Sequence, residues 1–190
     1  MDAVTPRALD DPRLTVVGLL AETYAGLRAK LTPAIAAHGL SPIEFEVLLR
    51  LGRSSCGRLR MTDLAAQADL SASGVTRVVD RLERSGRVRR EMCPADRRGA
   101  FAVLTEEGFR TLVNVVPAHV SAVERWVTSA LTPEQLAALV DALRAIRLRV
   151  RPGATAGTAE ADPADGRGSP GGPAGGPVGG PAATDAGEPE

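Results

Sequence analysis

Residues Met61–Thr105 read MTDLAAQADLSASGVTRVVDRLERSGRVRREMCPADRRGAFAVLT, and their spacing decides the fold. A short helix is expected over Thr62–Ala68, a tight turn at Asp69-Leu70-Ser71, and a second helix from Ser71 to about Ser85. The Ser71 hydroxyl can accept from an N–H left free in the first turn, and Gly86 supplies the residue that turns left-handed at a helix end. Val75, Val78, Val79 and Leu82 recur at i, i+3, i+4 and i+7, one buried stripe. Off that stripe lie Ser73, Thr76, Arg77, Arg81 and Arg84. Small hydroxyl side chains and an arginine at the start of such a helix suit the part that a helix-turn-helix presents to the major groove. Serine and threonine contact several base edges, and arginine bonds guanine bidentately, worth ~1–3 kcal/mol of discrimination. The positive end of the helix dipole favours phosphate.

Working outward, Val88–Cys93 and Ala100–Leu104 have strand composition and are joined by Pro94-Ala95-Asp96-Arg97-Arg98-Gly99. Proline and glycine bracket a reversal there. Adjacent arginines at an exposed tip repel one another, whereas the negative potential of a minor groove gives Arg97 and Arg98 a use. Asp96 can fix one guanidinium through a charge-assisted pair. The whole stretch predicts a winged helix-turn-helix that binds double-stranded DNA through Ser71, Ser73, Thr76, Arg77, Arg81, Arg97 and Arg98.

Upstream, Met1–Pro12 is expected to be a loose arm. A helix runs on from Arg13 to Ala37 with Leu20, Tyr24, Leu27 and Leu31 on one stripe, and Pro33 is expected to kink or end it. Ser41-Pro42-Ile43-Glu44 combines a hydroxyl cap, proline in the first turn and a glutamate three residues on, which predicts a helix to about Leu51. Phe45, Leu48 and Leu49 are assigned to its core face, Gly52–Gly57 to a loop, and Leu59-Arg60-Met61 to a short strand beside the wing.

Downstream, Thr105 caps a further helix, with Glu106 and Glu107 at its positive end. Its expected apolar stripe is Phe109, Leu112, Val113, Val116, Val120, Val123 and Val127, with a bend at Pro117 and Trp126 packed on the neighbouring helix. Thr132-Pro133-Glu134-Gln135 repeats the capping grammar before a last helix carrying Leu136, Leu139, Val140, Leu143 and Ile146 to about Arg149. The fold class is therefore mainly α with a small β-hairpin wing. The expected domains are the arm 1–12, one domain 13–150 and a tail 151–190.

The stretch resembles the DNA-binding lobe of the multiple antibiotic resistance regulator (MarR) family. Asp96-Arg97-Arg98-Gly99 followed by Val103-Leu104-Thr105-Glu106-Glu107-Gly108 is similar to that family's wing signature, D-x-R-G…L-T-x-x-G. Leu64-Ala65 and Ser71-Ala72-Ser73-Gly74-Val75-Thr76-Arg77 match its two-helix pattern, and the order of elements agrees from Arg13 to Val150. The resemblance implies that Arg98 enters the minor groove with Asp96 as its partner. It also implies a homodimer through terminal helices 13–40 and 106–150, with 41–105 as the DNA-binding lobe. A small aromatic or anionic effector between the two regions is implied as well. Tyr24, His38, Phe45 and Arg50 are the residues to consider for such a crevice, but each is read first as a core or surface residue and none is assigned to a ligand site.

Charge supports the DNA reading once it is divided. The chain of 190 residues has a formal net charge of zero, from 23 basic and 23 acidic residues. Residues 152–190 hold six acids against Arg167, so residues 1–151 carry 22 − 17 = +5 and the remainder 1 − 6 = −5. Eight arginines and four acids lie between Arg77 and Arg98, which concentrates positive charge where DNA would dock. The tail, with 11 glycines and 7 prolines in 39 residues, has too little apolar material for a core and is expected to be disordered.

Other classes fit less well. No nucleophile elbow, phosphate loop or metal-ligand cluster is present, so neither an enzyme nor a cofactor is expected. No apolar run reaches the ~20 residues of a membrane span, and the start lacks a secretory signal, so the cytoplasm is the expected location. A winged module that binds an acidic protein remains an alternative, distinguished by partner binding that survives loss of Arg97 and Arg98. Cys56 and Cys93 lack metal spacing. Each is read as an incidental thiol, with a redox switch at Cys93 among its arginines as the alternative.

Overall fold

The computed structural model describes residues 11–54, 56–93 and 96–152, without the side chains of Cys93, Asp96, Arg97 and Arg98. Residues 1–10 of the expected arm and 153–190 of the expected tail lie outside it. In chain order come α1 (Pro12–Ala36), α2 (Pro42–Arg53), β1 (Arg58–Arg60), α3 (Met61–Ala68), α4 (Ala72–Arg84), β2 (Val88–Cys93), β3 (Asp96–Leu104), α5 (Glu106–Trp126), a 3-10 turn and α6 (Pro133–Val150).

Local caps fix most of these boundaries. Asp11 accepts from the Arg13 N–H to start α1. Ser41 and Glu44 form a reciprocal capping box on α2, and Thr132 and Gln135 form another on α6. Asp69 ends α3 in the left-handed region at φ 58°, a conformation that aspartate tolerates better than most residues. Gly86 does the same after α4 at φ 71°. Pro33 does not end α1, which continues three residues beyond it to Ala36. Just before it, the Thr32 hydroxyl donates to the Arg28 carbonyl at 2.6 Å.

The sheet is antiparallel in the order β1-β3-β2. Arg58, Leu59 and Arg60 pair with Val103, Ala102 and Phe101, one residue earlier than the strand expected at Leu59–Met61. The wing differs more. Asp96–Gly99, expected as part of a turn, belongs to β3, and Cys93 pairs with Asp96 across an irregularity at Met92/Cys93. Within this stretch Asp96 is the residue that the register pairs with β2, and 97–99 fall in the irregularity between the Met92–Ala100 and Cys93–Asp96 pairs.

The core lies where α2, α3 and α4 meet the inner face of the sheet and the first half of α5. Val47, Leu48, Leu51, Leu64, Val75, Val79, Leu82, Val88 and Val115 are its most completely buried side chains. The α4 stripe is buried as expected, at Val75, Val78, Val79 and Leu82. On α2, Phe45 and Leu48 are core and Leu49 is half-buried, while Val47 and Leu51 complete a face that the spacing had understated. On α5 the expected stripe is divided. Leu112 is buried and Val116 packs against the core from a half-buried position, but Phe109, Val113 and Val120 are exposed. Thr111 and Val115 take the inner positions instead.

The outer helices stay uncovered. Ile35 is the only buried residue of α1, and α6 has none. Leu20, Tyr24, Val113, Val120, Leu143 and Ile146 are all exposed. Trp126 is also largely exposed, with the Lys30 ammonium 4.6 Å from its ring centroid. Among the described residues, no helix is long and apolar enough to cross a membrane.

Candidate nucleic-acid interface

The start of α4 is built by its cap. Ser71 sits in extended backbone at ψ 162°, and its hydroxyl oxygen accepts from the Gly74 N–H at 3.0 Å. Ser73 Oγ lies 3.2 Å from Ser71 Oγ. Thr76 Oγ1 donates to the Ala72 carbonyl at 2.8 Å, so its hydroxyl proton is used within the helix and its lone pairs stay available to accept. Ser71, Ser73, Thr76, Arg77 and Arg81 are all exposed, opposite the buried valine and leucine stripe. No hydrogen bond or ion pair ties Arg77 among the described residues.

Arg81 is placed differently. Its Nε lies 2.7 Å from Glu44 Oε1, thirty-seven residues away, which braces α4 against the first turn of α2. Burial alone would raise the Glu44 carboxyl. The Ser41 N–H bond, the Arg81 hydrogen bond, the Ser41 hydroxyl and the Arg81 charge together outweigh it and hold the group below its ordinary value.

The wing is fastened to α4 by Arg90, which the sequence pattern does not single out. Its guanidinium reaches Asp80 Oδ1 at 2.6 Å and Glu83 Oε2 at 2.8 Å, and donates to the Thr76 carbonyl at 3.2 Å. The Arg90 N–H also donates to Glu83 Oε1 at 3.1 Å. The signal was present as two acids at i, i+3 on α4, which read only as dilution of a basic run. On the sheet, Arg58 and Arg60 lie over the Phe101 ring at 5.0 and 5.2 Å, covering its half-exposed face. The backbone carries Arg97 and Arg98 on β3, and the side chains of Asp96, Arg97 and Arg98 lie outside the described residues.

A third junction joins this lobe to α5. Thr105 Oγ1 donates to the Gly86 carbonyl at 2.7 Å and accepts from the Gly108 N–H at 3.0 Å. The Thr105 N–H donates to the Arg87 carbonyl at 3.1 Å. Gly108 lies so close to that carbonyl that any Cβ there would fall on the oxygen. The closing glycine of L-T-x-x-G is thus required by contact between α5 and the α4–β2 connection.

Of the four residues considered near a crevice, Phe45 is buried with its ring 4.8 Å from His119, and Arg50 pairs with Glu46. Burial lowers the His119 pKa. His38 is half-buried, two residues past the end of α1. Tyr24 lines an open groove of about 500 Å3 with Arg28, Thr32 and Pro33. The Cys56 thiol is exposed. Among the described residues, no group of His, Cys, Asp and Glu has the arrangement of a metal site.

A recognition helix with an exposed polar tip, carried beside a three-stranded wing, defines a winged helix-turn-helix DNA-binding protein. The family model described as "MarR family" matches residues 38–99. The AbsC MarR-family transcriptional regulator of Streptomyces coelicolor superposes with a TM-score of 0.69 at 37% identity, over 75% of this chain and 96% of that one. The Sco3205 MarR-family regulator of the same organism, solved in complex with DNA, gives 0.68 at 37% identity over 73% and 88%. The transcriptional regulator MhqR of Bacillus subtilis is 29% identical over 70% of this chain and 90% of its own length. The chain belongs to the MarR family and is a DNA-binding transcriptional regulator.

Proposed function

We propose that this protein is a homodimeric repressor acting in the cytoplasm. It reads a near-palindromic duplex with Ser71, Ser73, Thr76, Arg77 and Arg81 of each recognition helix region in the major groove. Arg97 and Arg98 enter the minor groove, with Asp96 orienting the wing. A small aromatic or anionic effector releases it. The observation that carries the reading is the exposed α4 tip, where Arg77 has no partner among the described residues while nearby Arg90 is engaged in bracing. A cation left unpaired beside outward hydroxyls suits a phosphate or guanine edge.

Dimerisation is supported by apolar surface. Leu20 and Tyr24 on α1, Val113 and Val120 on α5, and Leu143 and Ile146 on α6 remain exposed, more than a single soluble domain ordinarily leaves uncovered. Pairing these faces by a two-fold axis puts two recognition helices on one side of the dimer, suited to half-sites ~34 Å apart. The groove beside Tyr24 and Arg28 offers an aromatic edge and a cation, which supports the effector class. An effector acts only if it prefers one spacing of the two lobes.

Selection of bound duplexes from random DNA tests the reading, together with light scattering of the free protein. The expected result is an inverted repeat bound by a dimer. Arg77→Ala should weaken binding by ~1–3 kcal/mol and relax preference at one base position. Recovery of no enriched sequence, or a monomer at micromolar concentration, would refute it.

A further inference from the structure

The end of α6 brings the chain back to the DNA-binding lobe. Arg151, just past α6, donates from Nη2 to the Ala66 carbonyl at 2.8 Å and pairs with Asp69 Oδ1 at 3.3 Å. Ala66 and Asp69 belong to the last turn of α3 and the helix-turn-helix turn itself. Ala66 O is one of the carbonyls that a helix end leaves free, and a cation there also complements the helix dipole. The chain therefore leaves the folded body beside the turn that leads into α4.

The segment beyond Arg151 is opposite in charge to the body. Residues 152–190 sum to −5, and residues 1–151 to +5. Glu160, Asp162 and Asp165 come 9 to 14 residues after Arg151. A flexible chain of that length spans at least roughly 15–22 Å, the figure for the most compact, glycine-rich coils, and α4 with its 13 residues is about 20 Å long. The first acidic group is thus within reach of the whole recognition helix. Its counterparts are present: among the described residues Arg77 and Arg84 of α4 have no carboxylate partner, although Arg84 reaches the Asp80 carbonyl at 3.3 Å.

We propose that the acidic segment beyond Arg151, led by Glu160, Asp162 and Asp165, docks on the arginine face of α4 of its own chain and competes there with DNA. The inference rests on the DNA-binding reading of that face. Tethering places the segment at an effective concentration of order millimolar, so weak ionic contacts suffice. Duplex DNA, with its far denser charge, displaces it, and the cost appears as lowered affinity for short or non-specific sites. Salt screens tail and DNA alike, but six carboxylates lose their hold first.

The test compares the full chain with a full-length variant in which all six acids of the segment are amides: Glu160→Gln, Asp162→Asn, Asp165→Asn, Asp185→Asn, Glu188→Gln and Glu190→Gln. Fluorescence anisotropy with a mixed-sequence duplex of about 30 base pairs should show about 5- to 30-fold tighter binding by the variant at ~50 mM salt, falling below about twofold at ~300 mM. Without DNA, backbone amide NMR shifts between the two proteins should cluster on α4 and the wing strands and vanish at high salt. Equal, measurable affinities would overturn the docking and leave the DNA-binding reading intact. Tighter binding with no shifts on α4 would mean diffuse repulsion and also overturn it. Absence of duplex binding by either protein would overturn both readings.

Discussion

Replacing Gly108 by alanine tests whether the join between α5 and the DNA-binding lobe is as tight as its geometry implies. The added Cβ would fall on the Arg87 carbonyl oxygen, 2.7 Å from Leu104 Cδ1 and 3.1 Å from the Arg87 carbonyl carbon. Carbon atoms prefer ~3.5–4.0 Å, so α5 and the α4–β2 connection must separate by several tenths of an ångström to about 1 Å. Overpacking of this kind costs ~1–3 kcal/mol. Separation also stretches the Thr105 N–H bond to the same carbonyl, now 3.1 Å, worth ~0.5–1.5 kcal/mol. Against this stands the gain of ~0.4–1 kcal/mol from a less flexible unfolded chain. The obstacle is backbone and cannot rotate away, so the cost wins by about 2 kcal/mol, a fall in melting temperature of ~4–8 °C. Gly52→Ala is the control, since its Cβ comes closest to the terminal Leu112 Cδ1 at 2.8 Å, which a rotamer change can relieve. Urea denaturation at fixed protein concentration reads both variants. Gly108→Ala at or above wild-type stability, or Gly52→Ala the more damaging, would refute the argument.

Three further outcomes are expected from the described contacts. Arg90→Ala removes the clamp of the wing on Asp80 and Glu83, so DNA affinity should drop about 3- to 10-fold although Arg90 need not touch DNA, and faster amide exchange in β2 should accompany the drop. Unchanged affinity would show that the wing holds its angle without it. The Glu44 carboxyl is held below its ordinary value of 4.5, so its contribution is present above that pH and lost as pH falls further. The Glu44→Gln variant should therefore show a shallower loss of stability as pH falls below 4.5 in acid titrations of the folded state. His119 is lowered from 6.5 by burial against Phe45, so the unfolded chain binds its proton first and stability declines as pH falls below 6.5. His119→Leu should flatten that decline in urea titrations carried out on either side of pH 6.5, and an undiminished slope would place the titration elsewhere.

What was legible in the sequence was what neighbours in the chain decide among themselves. Caps at Ser41, Ser71, Thr105 and Thr132, the left-handed glycine at Gly86 and the stripe Val75–Leu82 involve residues within about one or two turns of each other, so their spacing suffices. The exposed tip of α4 was legible for the same reason, because a helix with one buried stripe must present Ser73, Thr76 and Arg77 elsewhere. The wing tip misled because Pro94 and Gly99 mark a reversal locally, whereas the length of β3 depends on its ladder with β2.

Sequence alone therefore determined which segments are helices, which face of α4 is buried and where positive charge collects. Tertiary structure decided the rest: that Arg81 braces Glu44, that Arg90 holds the wing, and that α5 buries Thr111 and Val115 rather than Phe109 and Val113. The physical reason is that α5 is apolar on more than one side. Periodicity can say that such a helix has a face to bury, but the face chosen depends on α1, α2 and the α4–β2 connection, brought together from distant parts of the chain.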